Sequence, residues 1–276
     1  MAGNGEQAAG SGTGHEPIAG DSAPGGLPAV EPGSPAGQSP GAKPKGHTAV
    51  MASRHEPPDS LDFFPTPPWA TRALLEHVLP VDRFAGSFVG TTTNTCWEPA
   101  AGEGHMASVL GEYFAGVWRS DVFDYGGLNA CGSFVGEGAD VAQCPRTPPD
   151  WVITNPPFNL GKEFVLRALA TARVGVAVLV RSAWLEGVDR YSSLFGPMPP
   201  EIVAPFVERV PMVRGRWDPD ASTATAYSWV VWARNRAGGW SGDSRMRWIP
   251  PGCRKALERP DDRARFAPQP EAGGLL

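Results

Sequence analysis

The stretch Asp-Trp-Val-Ile-Thr-Asn-Pro-Pro-Phe occupies residues 150–158. Its positions 151–154 are aromatic and β-branched, which favours a buried strand, and paired prolines stand on both sides, at 148–149 and 156–157. Two consecutive prolines fix φ and remove two backbone donors, so neither a helix nor a sheet ladder can continue through them. The sequence therefore predicts a short buried strand that stops abruptly, followed by a turn at Asn155.

The turn combines groups that suit a planar ligand with an exocyclic amine. Asn155 offers a side-chain acceptor, the prolines hold backbone carbonyls in place, and Phe158 adds a flat ring. This stretch resembles the Asn-Pro-Pro-aromatic motif of S-adenosylmethionine-dependent amino-methyltransferases, most closely those that act on N6 of adenine in DNA. The resemblance implies that Asn155, Pro156, Pro157 and Phe158 are catalytic. A proline-stopped strand and turn without a chemical role is the alternative.

A second motif, Glu-Pro-Ala-Ala-Gly-Glu-Gly at 98–104, separates a strand candidate from a helix candidate. Its glycines let the backbone approach a ligand closely. Glu98 and Glu103 would repel a pyrophosphate but suit a ligand that carries an ammonium and a sulfonium. The motif resembles the first cofactor motif of the same methyltransferases. That resemblance implies contacts with S-adenosyl-L-methionine from Glu98, Pro99, Ala100, Gly102 and Gly104.

Three further positions are candidates for the cofactor site. Thr66 can cap a helix over 67–79, and the Thr-Pro sequence resembles the family loop that lies over the methionine part of the cofactor. Asp121 ends a strand candidate about 20 residues beyond the glycine loop, where a carboxylate accepts from ribose hydroxyls, with Asp124 as the competitor. By resemblance, Asp140 accepts from the adenine amine of the cofactor, although a loop-capping acid is as good a reading.

The remaining pattern predicts an α/β fold. A helix over 162–172 precedes a continuously apolar strand at 174–180, which is typical of a parallel strand buried on both faces. Strand candidates at 208–212 and 227–233 follow. The resemblance implies a Rossmann-like class I methyltransferase domain over 61–235, with a mostly parallel seven-stranded sheet, an antiparallel closing strand and helices on both faces.

Substrate contacts are predicted near the end of the apolar strand and in a later loop. Ligands gather at the carboxyl ends of strands in open α/β sheets, and the loop at 213–226 combines arginines with a tryptophan, as phosphate-and-base surfaces do. Trp184 taken alone fits a core position better than a substrate contact. The candidates are Arg181, Trp184, Arg214, Arg216 and Trp217.

The composition suggests three regions. Residues 1–60 contain 12 Gly and 9 Pro and almost no large apolar residue, so we expect a disordered tail. Residues 186–226 are a possible small target-recognition insertion, and 236–276 form a polar C-terminal extension. The sequence has neither a secretion-signal pattern nor a long apolar run, which predicts a soluble cytoplasmic protein without a membrane span. Four scattered cysteines give no indication of a metal site.

The charge is uneven. The net charge is -5, but residues 1–149 carry 7 Lys+Arg against 16 Asp+Glu, and residues 150–276 carry 17 against 13. An acidic half fits a cationic cofactor, and a mildly basic half fits phosphates. Scattered surface charge is the alternative.

These observations favour methyl transfer to an exocyclic amine, most simply adenine N6 in DNA, with DNA as the partner. The alternatives are RNA, at guanine N2 or adenine N6, a protein glutamine, and a non-catalytic protein that kept the cofactor fold. Phe158 stands where many relatives have tyrosine, which keeps the RNA and protein acceptors open. All of these readings require the turns after Glu98 and Thr154 to lie together.

Overall fold

One sheet organises the part of the chain that the computed structural model describes, namely residues 62–79, 93–136, 139, 144–235, 237–240 and 242–267. Its strands are β1 (Thr95–Glu98), β2 (Gly116–Asp121), β3 (Ala130–Cys131), β4 (Trp151–Thr154), β5 (Gly175–Arg181), β6 (Ile202–Pro205), β7 (Tyr227–Ala233) and β8 (Arg245–Met246). Their order in the sheet is β3-β2-β1-β4-β5-β7-β6-β8.

The sheet is parallel apart from β7, which runs antiparallel to both of its neighbours, β5 and β6. This confirms the predicted Rossmann-like α/β fold class with an antiparallel closing strand. The sheet has eight strands, whereas seven were predicted. β3 and β8 have two residues each, so they leave no periodic pattern in the sequence. The chain builds outward in opposite directions from β1 and β4, so a topological switch point lies between them, where such sheets bind ligands.

Helices cover both faces of the sheet, as predicted. They are α1 (Pro68–Ala73), which continues as a π-helical turn over Leu74–Val78, α2 (His105–Leu110), α3 (Gly161–Thr171), α4 (Val188–Arg190), α5 (Cys253–Leu257) and α6 (Asp262–Phe266). Residues of α1, α2 and α5 share one apolar cluster with Ala177 and Leu179 of β5. Residues of α3 share the other cluster with Val176 and Val178. Alternate residues of β5 therefore serve opposite layers, which explains its continuous apolar sequence.

The predicted strand at 208–212 is wrong. Those residues are irregular, and the strand next to β7 is β6, a few positions earlier. Within 208–212, Pro211 cannot donate to a ladder and Arg209 is exposed, whereas the side chains of β6 alternate between buried and half-buried. β6 pairs with β7 in the sheet and lies inside the span 186–226, where the sequence suggested a possible insertion.

The chain beyond residue 235 continues the same fold. β8 pairs with β6, and α5 packs against α1. The guanidinium of Arg72 in α1 is 1% exposed and binds both carboxylate oxygens of Asp262 in α6, at 2.6 and 2.7 Å, as well as Glu112 at 2.8 Å. Burial opposes ionisation of Asp262, but hydrogen bonds from Arg72 prevail and hold the pKa of Asp262 below its usual value.

No described helix is long and apolar enough to cross a membrane. The predicted tail, residues 1–60, lies outside the described residues.

Candidate active site

The turns after β1 and β4 lie side by side at the carboxyl ends of the strands and line a common cavity. β1 and β4 are hydrogen-bonded neighbours that run parallel, so their carboxyl ends meet. This meets the condition that the two sequence motifs set. Seven of the predicted residues line this cavity, which we call the cofactor cavity: Thr66, Glu98, Pro99, Ala100, Asp121, Asn155 and Pro157.

Glu98 presents an unusual carboxylate to the cofactor cavity. The residue is 2% exposed, and its Oε2 has no hydrogen-bond partner among the described residues. Burial raises the pKa of Glu98 well above 4.5, and the charge of Asp121 adds to this effect, while the N–H of Ala107 and the charge of Arg119 oppose it. A buried carboxyl group in this state would be stabilised by an incoming cation.

The glycine loop is held by Asp121 and covered by an aromatic ring. The N–H of Gly102 donates to Asp121 Oδ2 at 2.8 Å. Gly102 has φ +51, and a Cβ there would lie 2.3 Å from Cε2 of Phe63, so both its conformation and its neighbour require glycine. Gly104 has φ +87 and precedes α2. The two glycines shape the loop, whereas Pro99 and Ala100 line the cavity.

The structure separates the acids proposed for the ribose. Asp121 lines the cofactor cavity, and its second oxygen accepts from the N–H of Phe123 at 3.2 Å. Burial raises the pKa of Asp121, against the opposing effect of the N–H of Gly102. Asp124 is exposed, accepts from the N–H of Gly126 in its own turn, and does not line the cavity. Asp140 lies outside the described residues.

Thr66 does not cap α1 as expected. The capping residue is Pro67, without a side-chain cap hydrogen bond. Instead, Oγ1 of Thr66 accepts from Nδ2 of Asn155 at 3.2 Å, and the carbonyl of Phe64 accepts from the same nitrogen at 3.0 Å. The segment 62–66, which we call the strap, is therefore tied to the turn after β4.

These contacts fix the orientation of the Asn155 amide. A backbone carbonyl can only accept, so the amide nitrogen faces Phe64 and the amide oxygen faces away from it. That oxygen, Oδ1, is buried and has no hydrogen-bond partner among the described residues. A buried acceptor without a donor costs free energy, of order 1–3 kcal/mol, which a ligand amine would recover.

Phe158 is held from several sides. Its N–H donates to Asp62 Oδ2 at 2.7 Å, and the ring of Phe64 packs against its ring with centroids 5.1 Å apart at 45°. The guanidinium carbon of Arg181 lies 3.6 Å from the ring centroid. Nothing in the local sequence marks Asp62 as a partner of Phe158, because 96 residues separate the two.

A second cavity adjoins the first, and we call it the acceptor cavity. Pro157 lines both cavities, so the turn after β4 forms part of the wall between them. Trp184 is half-buried, with its ring edge-on to Phe195 at 5.5 Å. The predicted residues that line the acceptor cavity are Pro156, Pro157, Phe158, Arg181 and Trp184.

The side chains of the loop at 213–226 lie in two different environments. Arg214 and Arg216 are exposed, and the loop reaches the strap, because the N–H of Gly215 donates to the carbonyl of Phe63 at 2.9 Å. Trp217 is 2% exposed and packs with Val109 and Phe266. Its ring belongs to the core and is not available to stack on a base, so its predicted surface role is wrong.

His105 also lines the cofactor cavity, and it was not among the residues predicted from the sequence. Its Nε2 donates to the carbonyl of Phe266 at 3.0 Å, and its Nδ1 is buried without a hydrogen-bond partner in the described part of the chain. Burial lowers the pKa of His105 below 6.5, although the carbonyl of Phe266 opposes the shift. The only sequence signal was its place directly after the glycine loop. No group of three or more His, Cys, Asp or Glu side chains suited to a metal occurs in the described ranges.

No family model and no curated protein matches the sequence. Three similar solved structures are a type I restriction-modification methyltransferase subunit and an rRNA methylase, both from Streptococcus thermophilus, and a dimethyladenosine transferase from Plasmodium falciparum. Their sequence identities are 12%, 14% and 10%, with TM-scores of 0.45, 0.34 and 0.38. The alignments cover 67%, 59% and 64% of this chain, and 46%, 92% and 65% of the other chains. The chain thus spans less than half of the restriction-modification subunit.

Proposed function

We propose that the protein transfers a methyl group from S-adenosyl-L-methionine to an exocyclic amine, and that the amine is N6 of adenine in DNA. The observation that carries this proposal is the buried, unpartnered Oδ1 of Asn155. It stands at the turn between two adjoining cavities, and its direction is fixed by two hydrogen bonds from the other end of the amide. An amine is the donor that such an acceptor lacks.

The cofactor cavity suits a cationic nucleoside. Glu98 brings a buried carboxylate oxygen without a partner, which favours an ammonium or a sulfonium, and Asp121 adds a carboxylate for hydroxyl groups. Pro99, Ala100 and Phe134 offer apolar surface to a base. S-adenosyl-L-methionine held by Glu98 and Asp121 would supply an electrophilic methyl group to the amine nitrogen, with S-adenosylhomocysteine and one proton as the other products.

The turn after β4 activates the amine by orienting it. One N–H of the amine donates to Asn155 Oδ1 and the other to the carbonyl of Pro156, which lies beyond the last ladder pair of β4. Two acceptors placed in this way draw the nitrogen towards tetrahedral geometry and aim its lone pair at the cofactor cavity. No general base is needed, since the proton leaves to water after the methyl group arrives. Most of the rate enhancement then comes from orientation.

The acceptor cavity provides for the rest of the base. The ring of Phe158 is anchored through its backbone by Asp62 and offers a stacking face. Adenine N6 in a duplex is reached only after the base is extruded, at a cost of a few kcal/mol. The exposed arginines at 181, 214 and 216 supply charge for the flanking phosphates.

Label transfer tests the proposal. Cofactor with a radioactive methyl group is offered in turn with DNA, RNA and protein extract, using the wild type, Asn155→Ala and the control Asn129→Ala. Asn129 is an exposed asparagine whose Oδ1 accepts the N–H of Arg119 and which lines neither cavity, so the control makes the same substitution away from the cavities. We expect N6-methyladenine in DNA, lost by about 10²-fold or more in Asn155→Ala and unchanged in the control.

Asn155→Ala also removes the hydrogen bonds to Phe64 and Thr66, so its thermal melt and cofactor binding are measured in parallel. Asn155→Asp keeps an oxygen at the site, and the hydroxyl of Thr66 can donate to it, which keeps one contact to the strap. Its methyl transfer should lie between that of the wild type and that of Asn155→Ala. Full transfer by Asn155→Ala refutes the assigned chemistry. Label in RNA or in protein alone moves the acceptor to that class.

A further inference from the structure

Arg181 occupies the place that a stacked base would need. It is the last residue of β5, its side chain is exposed, and its guanidinium carbon lies 3.6 Å from the centroid of the Phe158 ring. This is the separation of stacked aromatic planes, and a guanidinium is planar and stacks on aromatic faces. A purine on this face of Phe158 and the guanidinium of Arg181 therefore exclude each other.

Of the two groups, Arg181 is the one free to move. The Phe158 backbone is held by Asp62 at 2.7 Å, and its ring packs against Phe64, which is itself tied to Asn155 through its carbonyl. Arg181 is exposed and contacts the ring, and its charge also acts on the buried hydroxyl group of Tyr227. An exposed cation–π contact is weak, and a long side chain can leave it by rotating about its own bonds.

Resting on the proposed function, we propose that Arg181 is a placeholder for the acceptor base. In the free protein its guanidinium covers Phe158 and shields the ring from water. The incoming purine displaces it, and the released guanidinium pairs with a backbone phosphate next to the target nucleotide. Arg181 thereby acts as a specificity residue that favours a purine within a polynucleotide over the free nucleoside.

The expected selectivity follows from the contacts that each ligand can offer to the displaced guanidinium of Arg181. A free nucleoside must break the stack between Arg181 and Phe158 and has no phosphate to offer the displaced cation. A polynucleotide breaks the same stack but pairs the guanidinium with a phosphate and releases a counterion. Removing the Arg181 side chain should therefore change the affinities for the two ligands in opposite directions.

Two fluorescent probes test this inference by anisotropy in the presence of S-adenosylhomocysteine. One is 2-aminopurine riboside, and the other is a single-stranded oligonucleotide with one internal 2-aminopurine. In Arg181→Ala we expect the riboside to bind about two- to five-fold tighter, the factor set by loss of an exposed cation–π contact. We expect the oligonucleotide to bind more weakly, and its slope of log affinity against log salt to shrink by about 0.7, the value for one phosphate contact.

Arg263→Ala is the matched control, since Arg263 is an exposed arginine bound to Asp220 and lies outside both cavities. It should change neither probe. Phe158→Ala should weaken both probes, which confirms that they stack where expected. Riboside binding in Arg181→Ala that is unchanged or weaker, or an unchanged salt slope, overturns the placeholder. If the wild type methylates DNA but Arg181→Ala gives one of these contradicting results, the placeholder role of Arg181 is refuted and the proposed function stands. A wild type that labels no nucleic acid refutes both the placeholder role and the proposed function.

Discussion

Replacing Glu98 by glutamine should make the protein more stable and less able to bind its cofactor. The carboxyl group is buried, one oxygen has no partner among the described residues, and burial raises its pKa well above 4.5. A folded-state pKa above the unfolded value means that the stability present at pH below the unfolded pKa is lost as the pH rises through the folded pKa. Glutamine has nearly the same shape and does not ionise.

The size of the effect follows from the unpaired oxygen. An unsatisfied buried polar group costs about 1–3 kcal/mol and a charged one more, so a neutral amide should recover about 1–2 kcal/mol at pH 8. For a domain of about 200 residues this raises Tm by about 2–8 °C, and the difference should shrink towards pH 5. Loss of a charge-assisted contact should weaken binding of S-adenosyl-L-methionine by about 1.5–3 kcal/mol, or roughly 10- to 150-fold.

The assay pairs thermal melts from pH 5 to pH 8 with calorimetric titration of S-adenosyl-L-methionine in the absence of an acceptor. Glu103→Gln is the control, because it makes the same change at an exposed position in the same loop. It should alter neither quantity appreciably. A lower Tm for Glu98→Gln at pH 8, or cofactor affinity equal to that of the wild type, would refute the assignment of Glu98 as the carboxylate that meets the cation.

Two further pairs of substitutions separate residues of the core from residues of the site. Gly102→Ala should weaken cofactor binding and lower Tm, measured in melts with and without ligand, because its Cβ would collide with Phe63. Gly126→Ala is the control, since it carries a similar backbone strain, at φ +85, but a Cβ there would have no neighbour within 4 Å. An equal loss of Tm and of affinity in both variants would exclude the collision as the cause. Trp217→Ala should cost about 3–5 kcal/mol in denaturant unfolding and leave the affinity of the folded protein for an oligonucleotide unchanged. Arg214→Ala should weaken that affinity.

The sequence was most informative where the backbone chemistry is unambiguous. Pro156 and Pro157 beyond Thr154, and Pro99 directly after Glu98, end two strands at defined residues, and the apolar run of β5 requires burial on both faces. Parallel neighbours then bring the strand ends to one edge. The grouping of Glu98, Asp121 and Asn155 around one cavity follows from those local rules and the strand order.

Partners that depend on tertiary packing could not be predicted in this way. A threonine before two prolines looks like a helix cap, yet Thr66 binds Asn155, 89 residues away. A tryptophan among arginines looks like a base-stacking surface, yet Trp217 fills the core beside α6. In both cases the local residue types allow two environments, and only the distant segment that packs there decides between them.

The ion pair between Arg72 and Asp262 has a consequence for the order in which the molecule assembles. The two residues are 190 positions apart, and the arginine is sealed from water in the finished structure. While the chain is being synthesised, Glu112 can pair with this arginine early, but the buried ion-pair cluster is complete only after Asp262 emerges from the ribosome. The strap directly before that helix should therefore take its final position late, so a nascent chain should gain cofactor affinity only after residue 262 has left the exit tunnel.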